Sequence, residues 1–336
     1  VTDVVFSRNI YDIKTNSPLD ILLRSLNRVF LSGQVVAVKL HMGETKNRTA
    51  LGPGTAKAVV SALKSIGTKP FLFDSPVAYN SKRNTPEGYL ELAHSRGFTP
   101  EFIGCPVKVS NESIRLNGEI TEYEMCSDLD DADGVCFLSH VKGHPCTGFG
   151  GAIKNIGMGA MTRETKKRIH DGGKPVLSCG CIQCMKCVDM CPTGNIRLNE
   201  DHPEFDRSYC IGCSNCALVC EENAISPAVD YFDCMLAEAT ALALSRFSKV
   251  IFINCLVNIT SLCDCVSNSG KILCGDVGYI IGENICSVEK ASLDLILRTA
   301  GRDIFFDQHH ISAAGHIDRL QAQLENDGDY SFRYTD

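Results

Sequence analysis

"CIQCMKCVDMCPTGNI" occupies residues 181–196, and "CIGCSNCALVCEENAI" follows at 210–225. Both read C-x2-C-x2-C-x3-C, and this repeat divides the chain. Three cysteines spaced in that way curl the backbone round one corner of a cubane, with amides turned inward at its sulfides. The fourth cysteine points away and reaches a second cluster. The spacing therefore predicts two [4Fe-4S] clusters with crossed ligands: Cys181, Cys184, Cys187 and Cys220 hold one, and Cys210, Cys213, Cys216 and Cys191 hold the other. Zinc knuckles also use C-x2-C pairs, but they do not require a third cysteine two residues on and a fourth after three more. There is no C-x3-C-x2-C radical-type loop and no C-x2-C-H haem attachment.

The two runs resemble those of bacterial two-cluster ferredoxins. Pro192 after Cys191 follows that pattern, whereas Glu221 after Cys220 departs from it and leaves the ligand set intact. Such ferredoxins are far shorter than the 336 residues here. Length alone predicts two domains, or one with an insertion. Apolar residues at 44% and charged residues at 22% fit a folded globular chain with an ample core. A net charge of −7 and the absence of any basic run argue against a nucleic-acid partner. The longest apolar stretch, 237–257, is broken by Glu238, Arg246 and Lys249 and reads as a helix followed by a strand, not a membrane span. "VTDVVFSRN" carries no charged-then-apolar leader. With 19 cysteines in a chain this long, a disulfide scaffold is disfavoured and a reducing, anaerobic cytoplasm is the expected setting.

Outside the cysteine runs, strand and helix patterns alternate. "QVVAVKLH" (34–41), "KPFLFD" (69–74), "GVCFLSH" (134–140) and "KVIFINC" (249–255) read as buried strands. Helices are expected from Ser17 as cap with Pro18 in the first turn, over 55–67, from Thr85 to Gly97, near 232–246 and over 288–301. The prediction is an α/β fold, a mainly parallel sheet with flanking helices, interrupted by the two-cluster unit at 176–228. Residues 1–175 and 229–336 form the first and second parts of the α/β domain. In such sheets ligands bind beyond the carboxyl ends of the strands. Those ends carry His41 with Glu44, Asp74 with Ser75, Ser139 with His140, and Cys255. A lone histidine there is commonly structural; several capable side chains at one edge point to a site.

After the third of these strands comes "HVKGHPCTGFGGAIKNIGMG" (140–159). Gly148, Gly150 and Gly151 allow a tight turn whose amides suit an anion, with Lys154 and Asn155 in the helix that follows. The pattern is neither a Walker loop nor G-x-G-x-x-G. A bland turn fits the glycines alone. His140, Lys142 and His144 in the same stretch favour a site.

"VKLHMGE" (38–44), the 140–159 loop, the inserted cysteine runs, "CDC" (263–265) and "DVGYIIGENICSVEKASLDLI" together resemble the iron–sulfur branch of the DUF362 family over roughly residues 1–305. Carried over position by position, the resemblance implicates Lys39, His41, Glu44, Asp74, His140, Lys142, His144, Lys154, Asn155, Cys263, Asp264, Cys265, Asp276 and Asp294. "NICSVEKA" departs from the family's Asp-Pro-Val-Ala stretch, and the tail 307–336, with His309, His310 and His316, matches no family pattern. The family implies an architecture more firmly than a reaction. Cys263 and Cys265, joined by Cys255, Cys274, Cys286 or Cys179, are candidates for a third metal centre; the plain alternative is a pair of reduced thiols in a loop.

Three functions follow. In the first, a redox enzyme or reductase subunit passes electrons from two [4Fe-4S] clusters to a small-molecule, flavin or metal site at the sheet edge. There His41, Glu44, His140, His144 and Lys154 are the catalytic candidates, and Gly148, Gly150, Gly151, Asn155 and Asp74 hold the ligand. In the second, the chain is a ferredoxin-like carrier that docks to a larger oxidoreductase. In the third, the clusters are structural staples or sensors. A carrier has no use for histidines and lysines converging at a strand edge, which favours the first. A redox partner protein is expected in either of the first two.

Overall fold

A computed structural model describes residues 2–12, 14, 17–324 and 332–335. Its centre is an eight-stranded sheet. The strands are β1 (Thr2–Ser7), β2 (Val35–Lys39), β3 (Lys69–Asp74), β4 (Val107–Val109), β5 (Gly134–His140), β6 (Val250–Leu256), β7 (Gly278–Gly282) and β8 (Phe332–Thr335). They lie in the order β8-β1-β7-β6-β5-β2-β3-β4. Every pairing is parallel except those on either side of β7, which is antiparallel to both β1 and β6.

The strands read as unbroken apolar runs because both faces of the sheet are covered. Alternate residues go to opposite sides. Ala37, Phe71, Phe73, Val135, Phe137 and Phe252 pack on one face beneath the helices Phe232–Leu244 and Ile285–Ala300. Val36, Val38, Leu72, Cys136, Leu138, Ile251 and Ile253 face the helices Asp20–Val29 and Pro53–Ser65. Phe137 sits at the middle of the first layer, 6.0 Å from the Phe252 ring and 5.6 Å from Phe247. Its truncation to alanine would remove those contacts and leave a cavity, a loss of about 3–5 kcal/mol.

The expected helices are present with shifted ends. The first begins at Asp20 with Leu19 in the cap position, not at Ser17. Thr85 does cap its helix, accepting from Gly88 N–H, with Pro86 in the first turn. The tail that matched no pattern belongs to the fold: Gly315–Gln323 is a helix and β8 adds an edge strand beside β1.

Between β5 and β6 the chain leaves the sheet. Strands Pro175–Leu177 and Ile225–Pro227 pair antiparallel, so the segment between them departs and returns at one place. Inside it the two cysteine runs repeat in backbone as well as in letters. Left-handed residues fall at matching positions: Gln183 (φ 59°) with Gly212 (61°), Met185 (67°) with Ser214 (64°), and Gly194 (63°) with Asn223 (52°). Four of these six are not glycine, and left-handed backbone at such residues persists only where the surroundings impose it.

Candidate functional site

The carboxyl ends of β2, β3 and β5 open into a cavity of about 270 Å³. Lys39, His41, Asp74, Ser75, Ser139 and His140 line it from the sheet. His144, Gly150, Gly151, Lys154 and Asn155 line it from the loop and helix after β5, and Cys263, Asp264 and Cys265 close it from the segment after β6. The crossover connections bring these segments to the same edge, as parallel sheets do.

Much of the wall is held by ion pairs. Lys39 Nζ lies 2.8 Å from Asp74 Oδ1 and donates to Asn155 Oδ1 at 3.0 Å. Burial opposes charge on Asp74, but Lys39, His41 and Lys166 together outweigh it and keep the carboxyl below its ordinary range. Asn155 Nδ2 donates to Ser139 Oγ at 3.0 Å and reaches the Lys39 and Leu138 carbonyls, tying β2 to β5. His140 is engaged at both ring nitrogens: Nε2 donates to Val257 O, and Nδ1 meets Asp264 Oδ2, each at 2.6 Å. It therefore fixes the Asp264 segment and has no nitrogen left for a substrate. Lys142, whose pKa burial lowers to about 8, stands 3.8 Å from Asp264 Oδ1 and is not on the cavity wall.

His144 is arranged differently. Thr147 Oγ1 donates its proton to Phe149 O, so at 3.0 Å it accepts from His144 Nδ1–H. Burial, then the nearby Lys154, hold the ring well below its ordinary pKa, hence neutral, with Nε2 unprotonated. His170 repeats this: Nδ1 donates to Ile211 O at 2.7 Å, and burial lowers its pKa. Both rings pack on Phe232, with centroids 6.1 and 5.1 Å away. Two neutral imidazoles with free lone pairs on one wall form a set of bases or ligands.

Two expectations require correction. Glu44 does not line the cavity. Its Oε2 pairs with Arg83 at 3.1 Å and accepts from Ser81 Oγ at 2.7 Å, so this carboxylate anchors a buried arginine. Arg83 in turn donates to His41 Nε2 at 2.6 Å. The glycine turn is not an open anion cradle either. The Ala152 amide at the helix start already donates to Glu289 Oε1. Gly148 lies off the cavity, at the end of the hairpin formed by Lys142–His144 and Gly148–Gly150, where a Cβ would lie 2.7 Å from the Ala313 Cα. Gly150 and Gly151 remain on the wall because their missing side chains leave room for Lys154 and Glu289. Asp276 and Asp294 are also elsewhere: the first accepts from Asn258 N–H, the second from Arg298 and Tyr334.

At the CDC segment the two sulfurs lie within hydrogen-bonding reach of each other. That bond and the Lys154 ammonium, against the cost of burial, hold the Cys263 thiol well below its ordinary pKa. Of the cysteines considered as companions, Cys255 and Cys286 are buried in the core and Cys274 and Cys179 are off the cavity. Among the described residues no group of three or more His, Cys, Asp or Glu is placed to hold an ion.

The eight cysteines of the two runs sort into two cages. Cys181, Cys184, Cys187 and Cys220 line one small cavity, and Cys191, Cys210, Cys213 and Cys216 line another. Each cage thus draws three cysteines from one run and the fourth from the other. The first faces outward, with Cys184 exposed and Ile182 and Met185 63% and 42% exposed beside it. In the second, Cys213 and Cys216 are buried, at 9% and 6%. This inner cage adjoins the carboxyl-edge cavity. Ile211 lines both, Asn215 Nδ2 donates to Pro145 O at 2.9 Å, and the Ile211 carbonyl is the one held by His170.

Several wall residues had no signal in the sequence. Arg83 follows an irregular turn, and Tyr79 donates to Cys265 O at 2.8 Å from the same loop. Lys166 and His170 come from the helix Arg163–Gly172, whose polar composition reads as a solvated surface. Lys166 is buried, donates to Ser75 Oγ at 2.6 Å and Pro76 O at 2.7 Å, and is lowered by burial to about pKa 8.

Known proteins match the chain in two parts. Over 61 residues it is 43% identical to a subunit of the ion-translocating oxidoreductase complex of Methanosarcina acetivorans, a match that covers 17% of this chain and 23% of that protein. Over 77 residues it is 38% identical to the pyruvate synthase subunit PorD of Methanothermobacter marburgensis, covering 23% of this chain and 88% of that one. The chain therefore spans less than a quarter of the first relative and most of the second. Among solved structures, the lactate racemase apoprotein of Thermoanaerobacterium thermosaccharolyticum aligns over 76% of this chain and 51% of its own, at 12% identity and a TM-score of 0.37. No helix among the described residues is long and apolar enough to cross a membrane. The family model described as a domain of unknown function, DUF362, matches residues 36–294, and the chain belongs to that family.

Proposed function

We propose that this protein is an iron–sulfur redox enzyme or reductase subunit. Low-potential electrons enter through two [4Fe-4S] clusters and are delivered to a small molecule at the carboxyl edge of the sheet. The outer cage holds one cluster and the inner cage the other, within an inserted unit spanning about residues 176–228. The donor chemistry fits. Each small cavity is lined by four cysteines, three from one run and the fourth from the other, which is the ligand set a cubane takes. The left-handed residues at matched positions give both runs the same backbone turns, a conformation suited to placing amides against cluster sulfides. When bound, the clusters supply one-electron storage. The chain's own residues then place the inner cage against the cavity, exclude water and hold protons.

The observation that carries the reading is the wall formed by Ile211, one residue thick, between the inner cage and the cavity. A carrier that only docks elsewhere has no need of it. The iron–sulfur reading also agrees with the similarity to subunits of an ion-translocating oxidoreductase complex and of pyruvate synthase. A redox partner protein docks at the outer cage, where Ile182 and Met185 are exposed. Around the substrate, His144 and His170 offer neutral nitrogens for proton transfer.

The test is anaerobic. Photoreduced protein is mixed with a protein-free extract of an anaerobic culture, and cluster reoxidation is followed by absorbance. Wild type should be reoxidised faster than in buffer. His144→Ala should lose the acceleration with unchanged cluster spectra. Acceleration that survives the substitution would contradict the enzyme reading and favour a carrier.

A further inference from the structure

We propose that Cys263 and Cys265 form a dithiol–disulfide couple that takes electrons from the inner cage and delivers them to a small-molecule disulfide in the carboxyl-edge cavity. This rests on the two-cluster reading above and gives its substrate site a chemical class.

The geometry points there from three directions. First, Cys263 and Cys265 stand one residue apart and both line the cavity. Val266 N–H donates to Cys263 O at 3.4 Å, so the segment is a turn, which draws alternate residues together as a disulfide requires. Second, the turn is held along its length, and Cys265 Sγ itself lies 3.7 Å from His41 Nε2. His140 and Lys142 hold Asp264, Tyr79 holds Cys265 O, and Asn47 Nδ2 holds Val266 O at 2.8 Å. Both thiols line the cavity, with the Lys154 ammonium beside Cys263. Third, Ile211 on the wall of this same cavity also lines the inner cage, so the two thiols share a chamber with the cage's boundary.

The electron count fits as well. Each cluster gives one electron, and cleaving a disulfide takes two. From the oxidised couple, two electrons and one proton break the Cys263–Cys265 S–S bond. Cys265 becomes a thiol, and Cys263 remains a thiolate against Lys154. In the other half-reaction the Cys263 thiolate attacks the bound disulfide RSSR, forming a mixed disulfide and releasing RS⁻. Cys265 then attacks Cys263 Sγ, releasing the second RS⁻, and its proton leaves with a product thiol, so RSSR becomes RS⁻ plus RSH. No further co-reactant enters.

The experiment uses the anaerobically reconstituted full chain and bis(2-hydroxyethyl) disulfide. Cluster absorbance is recorded at each step, and thiols are mapped by alkylation and mass spectrometry. In wild type the probe should convert Cys263 and Cys265 into an internal disulfide, and photoreduction should restore both thiols with two electron equivalents. Cys265→Ser should trap a hydroxyethyl adduct on Cys263, whereas Cys263→Ser should trap at least tenfold less on Cys265. If both residues stay fully alkylatable in wild type while the clusters are intact, the dithiol proposal is overturned and the two-cluster reading stands. If no clusters assemble, that underlying reading fails instead.

Discussion

Asp264 Oδ2 lies 2.6 Å from His140 Nδ1, although the two residues are 124 positions apart in sequence. Their side chains are 5% and 2% exposed, and the pair joins the end of β5 to the CDC turn. His140 owes its place to the strand, and Asp264 owes its place to His140. The turn is thus positioned by a buried carboxylate–imidazole contact, not by regular structure.

Breaking that pair should loosen the turn. Asp264→Asn removes the carboxylate that His140 Nδ1 faces, and losing a buried hydrogen bond to a charged group costs about 1.5–3 kcal/mol. Chemical denaturation should show a loss of that order, together with faster alkylation of Cys263 and Cys265 in the folded protein. His140→Ala should act in the same direction. A stability change under about 1 kcal/mol would show that the pair is not holding the turn.

Lys166 makes a prediction about pH. Its folded pKa, about 8, lies below the unfolded lysine value of about 10.4. Between those values the unfolded chain binds the extra proton, so stability contributed at this site rises with pH. Below pH 8 both states are protonated and the full penalty of burying the charge applies. The stability of wild type relative to Lys166→Met should therefore increase from pH 8 to pH 10, by about 2 kcal/mol. A difference that stays flat, or falls, over that range would contradict the assignment.

Adjacent glycines should respond differently to alanine. A Cβ on Gly151 would lie 2.4 Å from Glu289 Oε1 and 2.9 Å from Asn254 Nδ2, both buried and mutually bonded. A Cβ on Gly150 would meet the flexible Lys154 stem at 2.7 Å. Gly151→Ala should cost about 1–3 kcal/mol, as overpacking does. Gly150→Ala should cost less but push Lys154 away from Cys263. Thermal unfolding measures the first effect, and the pH dependence of Cys263 alkylation, moved upward in Gly150→Ala, measures the second.

The sheet was legible because both of its faces are buried: "VVAVK", "KPFLFD" and "GVCFLSH" are apolar runs too short for helices and bounded by turns. The convergence at the carboxyl edge followed from topology. Four strands escaped the reading. β1 is mostly half-exposed and lacks a buried run, β4 is three residues long, β7 ("GYIIG") begins and ends in glycine, and β8 comes from the tail that matched nothing. At the site, position along the chain was visible but partnership was not. Glu44 stands near a strand end like a catalytic acid, yet Arg83, 39 residues away, occupies it. The glycine turn has the composition of an anion nest, yet Glu289, 137 residues away, takes its amide. Lys166 and His170 were hidden by the polar look of their helix. Such contacts are settled by packing, which local pattern does not record.

The most direct measurement of the central claim is the metal and sulfide content of anaerobically prepared protein, read with electron paramagnetic resonance of the reduced form. Two cubanes predict about eight irons and eight acid-labile sulfides per chain. They also predict that Cys191→Ser perturbs the same cluster signal as Cys213→Ser, while Cys220→Ser perturbs that of Cys184→Ser. Protein holding zinc without labile sulfide, or Cys191 grouping with Cys184, would contradict it.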